Sequence, residues 1–428
     1  MIKQDYLSPR WSGEVCDCSM PLTFDTYSGC SFNCLFCFAF FQKSHTIYKD
    51  ELNPITRENH SINPENVKTI FKQCLNDNPK TKEAKQFYPY IKNKITMQWG
   101  GLSDPFDYNE EKYGISLEML KFFDEIDYPL SISTHGSFFT KKKEYMDLIK
   151  KHSHNWHFKM SIITTDKKKA EQIEQLVPTP QQRFNAMNKL TKKGIHVTLR
   201  LRPYIIGISE DFKQTITTAK KNGADSVTTE FFCLDLRANN DLKNKYKQIS
   251  KICGFDIYNF YKEQSHTAGY LRLNYNIKRK IINEMKEITH KNNMRFYVSD
   301  AHHKEKSDET CCCGCPPDFK IYKGQYAEAL QIAKNNPEHI VQWKDIEKQA
   351  EEIFGNVNFM EAIGFNTNSS RMRGYFGNQS FKQYLQTIWN TPKTSKSPYN
   401  YFEGILYPIG LDKENNIIYK YNKNKADK

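Results

Sequence analysis

The sequence predicts an α/β protein: an open or partial (β/α) barrel followed by a smaller mixed α+β region. Three observations predict it. Short β-type runs alternate with amphipathic helical stretches from about residue 22 to residue 300, which implies parallel strands joined by crossover helices. Several runs are polar on one face and apolar on the other, as strands around a polar lumen would be. Past residue 305 the alternation gives way to a cysteine-rich segment, two helical stretches and a hairpin pattern.

The expected strands are Leu22–Tyr27, Ile95–Trp99, Leu130–Thr134, His157–Ile163, His196–Pro203, Ser226–Phe232 and Arg295–Val298. Helical patterns such as PENVKTIFKQCL, SLEMLKFFDEI and PQQRFNAMNKLTKKG lie between them. The last has Thr179 as N-cap, Pro180 at the first helical position and Gly194 just beyond the end. In HVTLRLRPY, Val197, Leu199 and Leu201 share one face, while Thr198, Arg200 and Arg202 share the other. Ser131, Ser133 and His135 alternate similarly, as do Thr228 and Glu230. Such strands line a lumen holding a polar ligand or lie at a solvent-facing edge; strands sandwiched by helices favour the lumen. A barrel of this kind carries its site at the carboxyl ends of the strands.

Beyond residue 305, CCCGCPP precedes helical segments at 325–335 and 343–354. GILYPIGLDKENNIIYKYN then reads as a hairpin around DKENN, and KNKADK reads as unstructured. The expected division is a lead-in over 1–21, the barrel over 22–305, and a Cys-rich segment with an accessory region over 306–428. No internal repeat is visible.

The 428 residues carry a formal charge of +13. That balance suits an anionic partner, nucleic acid first. Lysine-rich, asparagine-rich composition explains it nearly as well, because the lysines fall in short runs (Lys141–Lys143, Lys167–Lys169) rather than one tract. MIKQDYLSPR has no apolar core of a secretory signal, and no stretch approaches the roughly 18 apolar residues of a membrane span. A soluble cytoplasmic protein without a membrane partner is expected. In that compartment twelve cysteines favour metal ligation or thiol chemistry over disulfides.

CSFNCLFC places Cys30, Cys34 and Cys37 at a C-x3-C-x2-C spacing directly after the first expected strand. Thiolates suit iron–sulfur clusters, and three of them cover three irons of a cubane while the fourth stays open. Zinc prefers four ligands, often as two C-x2-C pairs, and no second such pair follows nearby. The spacing is similar to the signature of the radical S-adenosylmethionine (SAM) superfamily, which favours an aromatic at the position held here by Phe36. The resemblance implies a [4Fe–4S] cluster on Cys30, Cys34 and Cys37. SAM would chelate the open iron and, on receiving one electron, split into methionine and a 5′-deoxyadenosyl radical. It also implies the partial barrel of that superfamily and a flavodoxin or ferredoxin-type electron donor.

From about residue 10 to residue 210 the chain further resembles the spore photoproduct lyase-like branch. DCSMPLTFDTYSGC looks like that branch's leader, and WGGLSDPFDYNE resembles its motif at the second strand. The implied SAM-contacting residues are Gly100, Gly101, Ser103 and Asp104. FKMSIITTD places Ser161 where the branch has a SAM-contacting serine. IEQLVPTPQQR, with Glu174 and Arg183, resembles the segment entering the next helix, although Glu174 precedes Gln where the branch has Pro. LRLRPYIIG resembles the fifth strand, which implies Arg200 or Arg202 for the SAM carboxylate. Two departures stand out: Gly101 and Leu102 replace a hydrogen-donating cysteine, and Thr134-His135 replaces a Thr-Lys pair.

Cys311, Cys312, Cys313 and Cys315 lie just past the last expected strand. Adjacent cysteines rarely pair as disulfides in a reducing compartment, and three readings stay open. Cys311 and Cys315, joined by partners such as Cys16, Cys18, His302 or His303, form a second iron–sulfur cluster or zinc site. Cys312 or Cys313 is a thiol that returns hydrogen to a substrate radical. Or the segment is structural. Cys74, Cys233 and Cys253 read as core cysteines. Glu230 either faces a substrate or simply hydrogen-bonds within the lumen, and His154 and His157 read equally as surface or catalytic residues.

The leading function is hydrogen abstraction from a nucleic-acid base or sugar, in repair or modification. A C-terminal region rich in Lys, Asn and Tyr would stack on bases. Peptide or protein modification with an auxiliary cluster is the alternative. A binding protein that retains only the fold is the third reading.

Overall fold

The computed structural model describes residues 2–12, 16–39, 60–235, 240–264, 270–359 and 379–427. Its main sheet holds β1 (Arg10–Trp11), β2 (Leu22–Phe24), β3 (Met97–Trp99), β4 (Leu130–Thr134), β5 (Trp156–Ser161), β6 (His196–Tyr204), β7 (Ser226–Phe231) and β10 (Arg295–Val298), side by side in that order. Each neighbour from β2 onward is parallel to the last, and β1 alone runs antiparallel. Seven parallel strands laid down in chain order, open between edge strands β1 and β10, form the expected partial barrel.

Helices follow each strand: α1 (Pro64–Leu75) and α2 (Lys82–Lys92) after β2, α3 (Tyr108–Tyr113) and α4 (Ile115–Glu125) after β3, and α5 (Lys143–Lys151) after β4. Next come α6 (Lys167–Ile173) and α7 (Pro180–Thr191) after β5, and α8 (Phe212–Lys221) after β6. Beyond β7 the chain leaves the sheet to form β8 (Cys233–Asp235), α9 (Asn240–Cys253), α10 (Ile257–Gln264) and β9 (Tyr270–Arg272), and returns through α11 (Tyr275–Lys291). Local signals set several of these bounds. Thr179 and Gln182 make a complete capping box, so α7 begins at Pro180 as expected.

The helices cover the outer face of the sheet with aromatic side chains. Phe24, Trp99 and Phe123 meet edge-on at ring separations of 5.0 to 5.7 Å, each pair adding about 0.5–1.5 kcal/mol beyond its buried area. The inner face is polar. Ser131 Oγ meets His157 Nδ1 at 2.9 Å, His157 Nε2 meets Thr198 Oγ1 at 2.7 Å, and Thr198 Oγ1 meets Ser226 Oγ at 2.6 Å. This belt spans β4 to β7 and satisfies a fully buried histidine. Neither a surface residue nor free to act as a base, His157 is pushed down to about 3 by burial.

After β10 the chain crosses beneath the barrel, at the amino ends of its strands. Thr228 of β7 donates to the Cys312 carbonyl (2.6 Å), and Thr198 of β6 donates to the Gly314 carbonyl (3.2 Å). Thr96, just before β3, donates its N–H to Lys320 (2.8 Å), and Tyr322 donates to Ser19 (2.9 Å). Residues 311–322 thus form a crossbar from the last strands to the first.

The C-terminal region is mixed, as expected: α12 (Tyr326–Asn335), β11 (Ile340–Val341), α13 (Lys344–Phe354), α14 (Phe381–Trp389), α15 (Pro398–Tyr401), β12 (Leu406–Leu411) and β13 (Ile417–Tyr421). β12 and β13 pair around DKENN, and β11 joins them in a three-stranded antiparallel sheet. KNKADK departs from expectation. Residues Lys423–Asp427 form α16, whose Ala426 carbonyl accepts from the Arg279 guanidinium and, at 2.8 Å, from Lys306 Nζ. Two cations from the barrel hold the helix end.

Candidate metal and cofactor site

Cys30, Cys34 and Cys37 lie on the loop after β2, at the carboxyl ends of the strands, and line one cavity of about 340 Å³. The loop is clamped from both sides. Asp107, the N-cap of α3, accepts from Ser31 N (2.6 Å) and Ser31 Oγ (2.8 Å) through one oxygen. On the other side Leu35 N donates to the Ile173 carbonyl (3.0 Å), and Cys34 bridges Glu174 through the backbone. Cys37 N closes a turn on the Cys34 carbonyl at 3.3 Å.

Glu174 is itself held. Its carboxylate takes both ends of the Arg183 guanidinium, at 3.0 and 2.5 Å, and Arg183 also donates to the Ser161 carbonyl at 2.6 Å. Both side chains are buried. Burial alone would raise the Glu174 carboxyl; Arg183 and His135 outweigh it and hold it at about 2. The pair therefore joins the cysteine loop, α7 and the end of β5.

Every residue assigned to SAM from the resemblance lines the same cavity: Gly100, Gly101, Ser103, Asp104, Ser161, Arg200 and Arg202. Gly100 has φ +85°, and a Cβ there would lie 2.5 Å from the Ser133 carbonyl oxygen, so glycine is required. Gly101 is under no such constraint, since a Cβ there meets only ordinary contacts. Asp104 is occupied in holding the wall: it accepts from Thr134 Oγ1 (2.7 Å), His135 N (2.6 Å) and Phe106 N (2.9 Å). Arg202 pairs with Glu230.

The donor set fits a metal cluster with a carboxylate-bearing ligand. Burial pushes the Cys30 and Cys34 thiols well up, and Asp107, Asp104 and Glu174 push further. Such thiols ionise only when a metal displaces their protons. Beside them Arg200 is half-buried; no carboxylate among the described residues is in ion-pair contact with it, although the charges of Glu230 and Asp104 act on it. Burial and Arg202 push it down to about 10, leaving it a cation at neutral pH in need of an anion. Its Nη1 reaches Ser161 Oγ at 3.2 Å.

The sequence reading missed several residues here. Asp25 accepts from Leu102 N (2.8 Å) and Ser103 N (3.0 Å) and pairs with Arg10 (2.7 Å), so the lead-in braces the glycine loop. Asp107 was unmarked because its partner lies 76 positions away. Lys159, two residues before Ser161, has a buried Nζ with no hydrogen-bond partner; period-two alternation would have found it. Cys233, read as a core cysteine, lines the cavity, and burial pushes its thiol up to about 12.

Cys311, Cys312, Cys313 and Cys315 do not line this cavity. They pack with Met20 and Phe319 in the crossbar. Cys313 approaches Gln98 Oε1 at 3.7 Å. It is drawn well below the usual thiol range by hydrogen bonds from Cys311 and Cys312, with Lys159 and Arg202 adding to the effect. Cys311 and Cys312 stay protonated. Among the described residues, the one set of three His, Cys, Asp or Glu donors within 4.8 Å of one another is Asp127, His152 and His154. It lies at the outer surface and is satisfied by its own contacts and by Asn155.

No family model and no curated protein matches the sequence. The matches are structural. A variant of spore photoproduct lyase is similar at 13% identity and a TM-score of 0.49, covering 69% of this chain and 80% of its own. Spore photoproduct lyase complexed with dinucleoside spore photoproduct is similar at 13% identity and a TM-score of 0.48, with the same coverage. SuiB of Streptococcus suis, bound to S-adenosylmethionine, is similar at 15% and 0.41, covering 66% of this chain and 51% of its own. The functional reading rests on the cavity's own residues.

Proposed function

We propose that this protein is a radical SAM enzyme that abstracts hydrogen from a nucleic acid in repair or modification. The carrying observation is that three thiols and a half-buried arginine, Arg200, with no carboxylate in ion-pair contact among the described residues, line one cavity at the carboxyl ends of the strands. A [4Fe–4S] cluster on Cys30, Cys34 and Cys37 would supply the reductive cleavage of SAM. Arg200, steadied by Ser161, would take the SAM carboxylate. Gly100 lets the chain approach the ligand closely, and Ser103, held by Asp25, offers a hydroxyl to it. Asp104 and the Glu174–Arg183 pair position the walls rather than touch the cofactor. A flavodoxin or ferredoxin-type protein would supply the electron.

The formal charge of +13 supports an anionic substrate. No helix among the described residues is long and apolar enough to cross a membrane. Cys312 and Cys313 pack in the crossbar at the floor of the barrel and do not line the cavity, which counts against either as the thiol that returns hydrogen to a substrate there. Cys311 and Cys315 as ligands of a second iron–sulfur cluster or zinc site would favour peptide modification instead.

The test is anaerobic reconstitution, iron and sulfide counting, and assay of 5′-deoxyadenosine after dithionite and SAM, with duplex DNA, RNA or peptide pools added. About four irons per chain, product that rises with nucleic acid, and binding with a steep salt dependence support the proposal. About eight irons and stimulation by peptide would replace the substrate assignment. A loaded protein that forms no 5′-deoxyadenosine, unchanged by Cys30→Ala, would overturn the enzyme reading.

A further inference from the structure

At the amino ends of β4 and β5, the opposite end of the strands from the cysteine cavity, two turns bring three donors together. Asp127 lies in the turn between α4 and β4, at φ +47°, and His152 and His154 lie in the turn between α5 and β5. One ligand atom from each lies within 4.8 Å of the others. His152 is buried, its ring stacked on Trp156 at 4.2 Å, and its Nε2 meets Asp124 Oδ1 at 2.8 Å. An ionised carboxylate only accepts, so Nε2 carries the proton that faces Asp124. The other ring nitrogen, Nδ1, faces Asn155 Oδ1 at 3.2 Å and Asp127 Oδ1 at 3.4 Å. Asn155 is fixed in that sense, since its Nδ2 donates to Asp127 Oδ1 at 2.8 Å. His154 Nε2 approaches the same Asp127 oxygen at 3.3 Å. In neutral His152 the Nδ1 lone pair would point at two acceptors, so a cation belongs there, either a proton on the ring or a metal ion.

We propose that Asp127, His152 and His154 bind a divalent transition-metal ion of the zinc class. The inference is independent of the cluster reading above. Two imidazoles and one carboxylate suit zinc, whereas magnesium and calcium take oxygen ligands. The separations of 3.3 and 3.4 Å exceed the roughly 2.9 Å of a good N–H···O bond. They match the edge of a tetrahedron, about 3.3–3.4 Å, whose centre holds zinc with ligands at about 2.0–2.1 Å. Without an ion the same contacts keep the three side chains assembled. Asp124 stands behind His152 as a carboxylate stands behind a metal-bound imidazole, fixing the tautomer that leaves Nδ1 free to ligate. Asn155 orients Asp127, and water completes the shell. The ion would tie two successive helix-to-strand turns of the barrel, so its role is structural.

The experiment is a zinc titration of the full chain carrying its reconstituted cluster, followed by calorimetry, zinc-edge X-ray absorption and thermal unfolding. The variants are His154→Ala, Asp127→Ala and Asp124→Asn. The His154 and Asp127 side chains are 60% and 57% exposed, so removing them leaves the fold in place. Wild type should take up a zinc whose shell is nitrogen and oxygen at about 2.0–2.2 Å, and zinc should raise its melting temperature. Asp124→Asn should weaken that binding about 10–100-fold. His154→Ala and Asp127→Ala should weaken it further and abolish the thermal shift. Zinc held only through sulfur at about 2.3 Å, with wild-type affinity in His154→Ala, would overturn the proposal and place the ion on the cysteines. Weak binding equal in all four proteins would overturn it as well, as would wild type that takes up no zinc, which would leave a proton as the cation at His152.

Discussion

Lys278 and Asp300 face each other at 2.5 Å between α11 and the turn after β10, both largely shielded from water. Burial would raise the Asp300 carboxyl, but Lys278, with His303 and His302 adding to it, holds it at about 2. A depressed folded pKa means stability that is present above the unfolded value and lost as pH falls through the folded one. The pair should therefore contribute about 2 kcal/mol at neutral pH, lost between roughly pH 4 and pH 2. Urea denaturation across that range checks it, and Asp300→Asn with Lys278→Met should flatten the slope. Lys278→Met alone should cost about 3–5 kcal/mol, because it strands a buried carboxylate. A loss well under 1 kcal/mol would show that water reaches the pair. Side chains such as these were illegible beforehand. Cys30, Cys34 and Cys37 announce themselves through spacing within eight residues, whereas Asp25, Asp107 and Lys245 act on partners 77, 76 and 212 positions away.

Elements were legible where their signals are local. The helix over Pro180–Thr191 carries its cap, its proline and its terminating Gly194, with φ +81°, in sequence. Thr179→Ala should cost about 1 kcal/mol, read as a lower urea midpoint at unchanged slope. An unchanged midpoint would mean that packing of Phe184 and Leu190 alone fixes the helix. Strand ends were less legible. Leu22–Tyr27 was expected, but β2 stops at Phe24 because Asp25 turns to take the amides of Leu102 and Ser103. α16 went unseen because its support comes from Arg279 and Lys306, neither of them near it in sequence.

On the scale of the whole molecule, the cysteine segment serves a purpose that composition did not suggest: it closes the floor of an open barrel. Gly314 sits at φ +73° with its missing Cβ 2.7 Å from Thr198 Oγ1. Gly314→Ala should therefore destabilise the protein by about 1–3 kcal/mol. Thermal unfolding with and without reconstituted iron checks it, and a wild-type melting temperature would show that the crossbar can lift without cost. The three readings of CCCGC could not be separated in sequence because they differ in which sulfurs converge, a property of the fold. In the folded chain the four sulfurs pack with Met20 and Phe319 at the floor, while Cys233, passed over, reaches the cavity.

The fold class, the alternation of polar and apolar strand faces, the hairpin around DKENN and the three clustered thiols follow from the sequence alone, because periodicity and short spacing act between near neighbours. The bracing of the cysteine loop by Asp107 and Glu174, the place of Arg200 in the cavity without an ion pair, the crossbar beneath the lumen and the reach of Lys245 to Asn33 in the cysteine loop were decided by tertiary structure. Each depends on parallel strands bringing distant segments to one end of the barrel, where burial fixes which charges must find partners and which remain for a ligand.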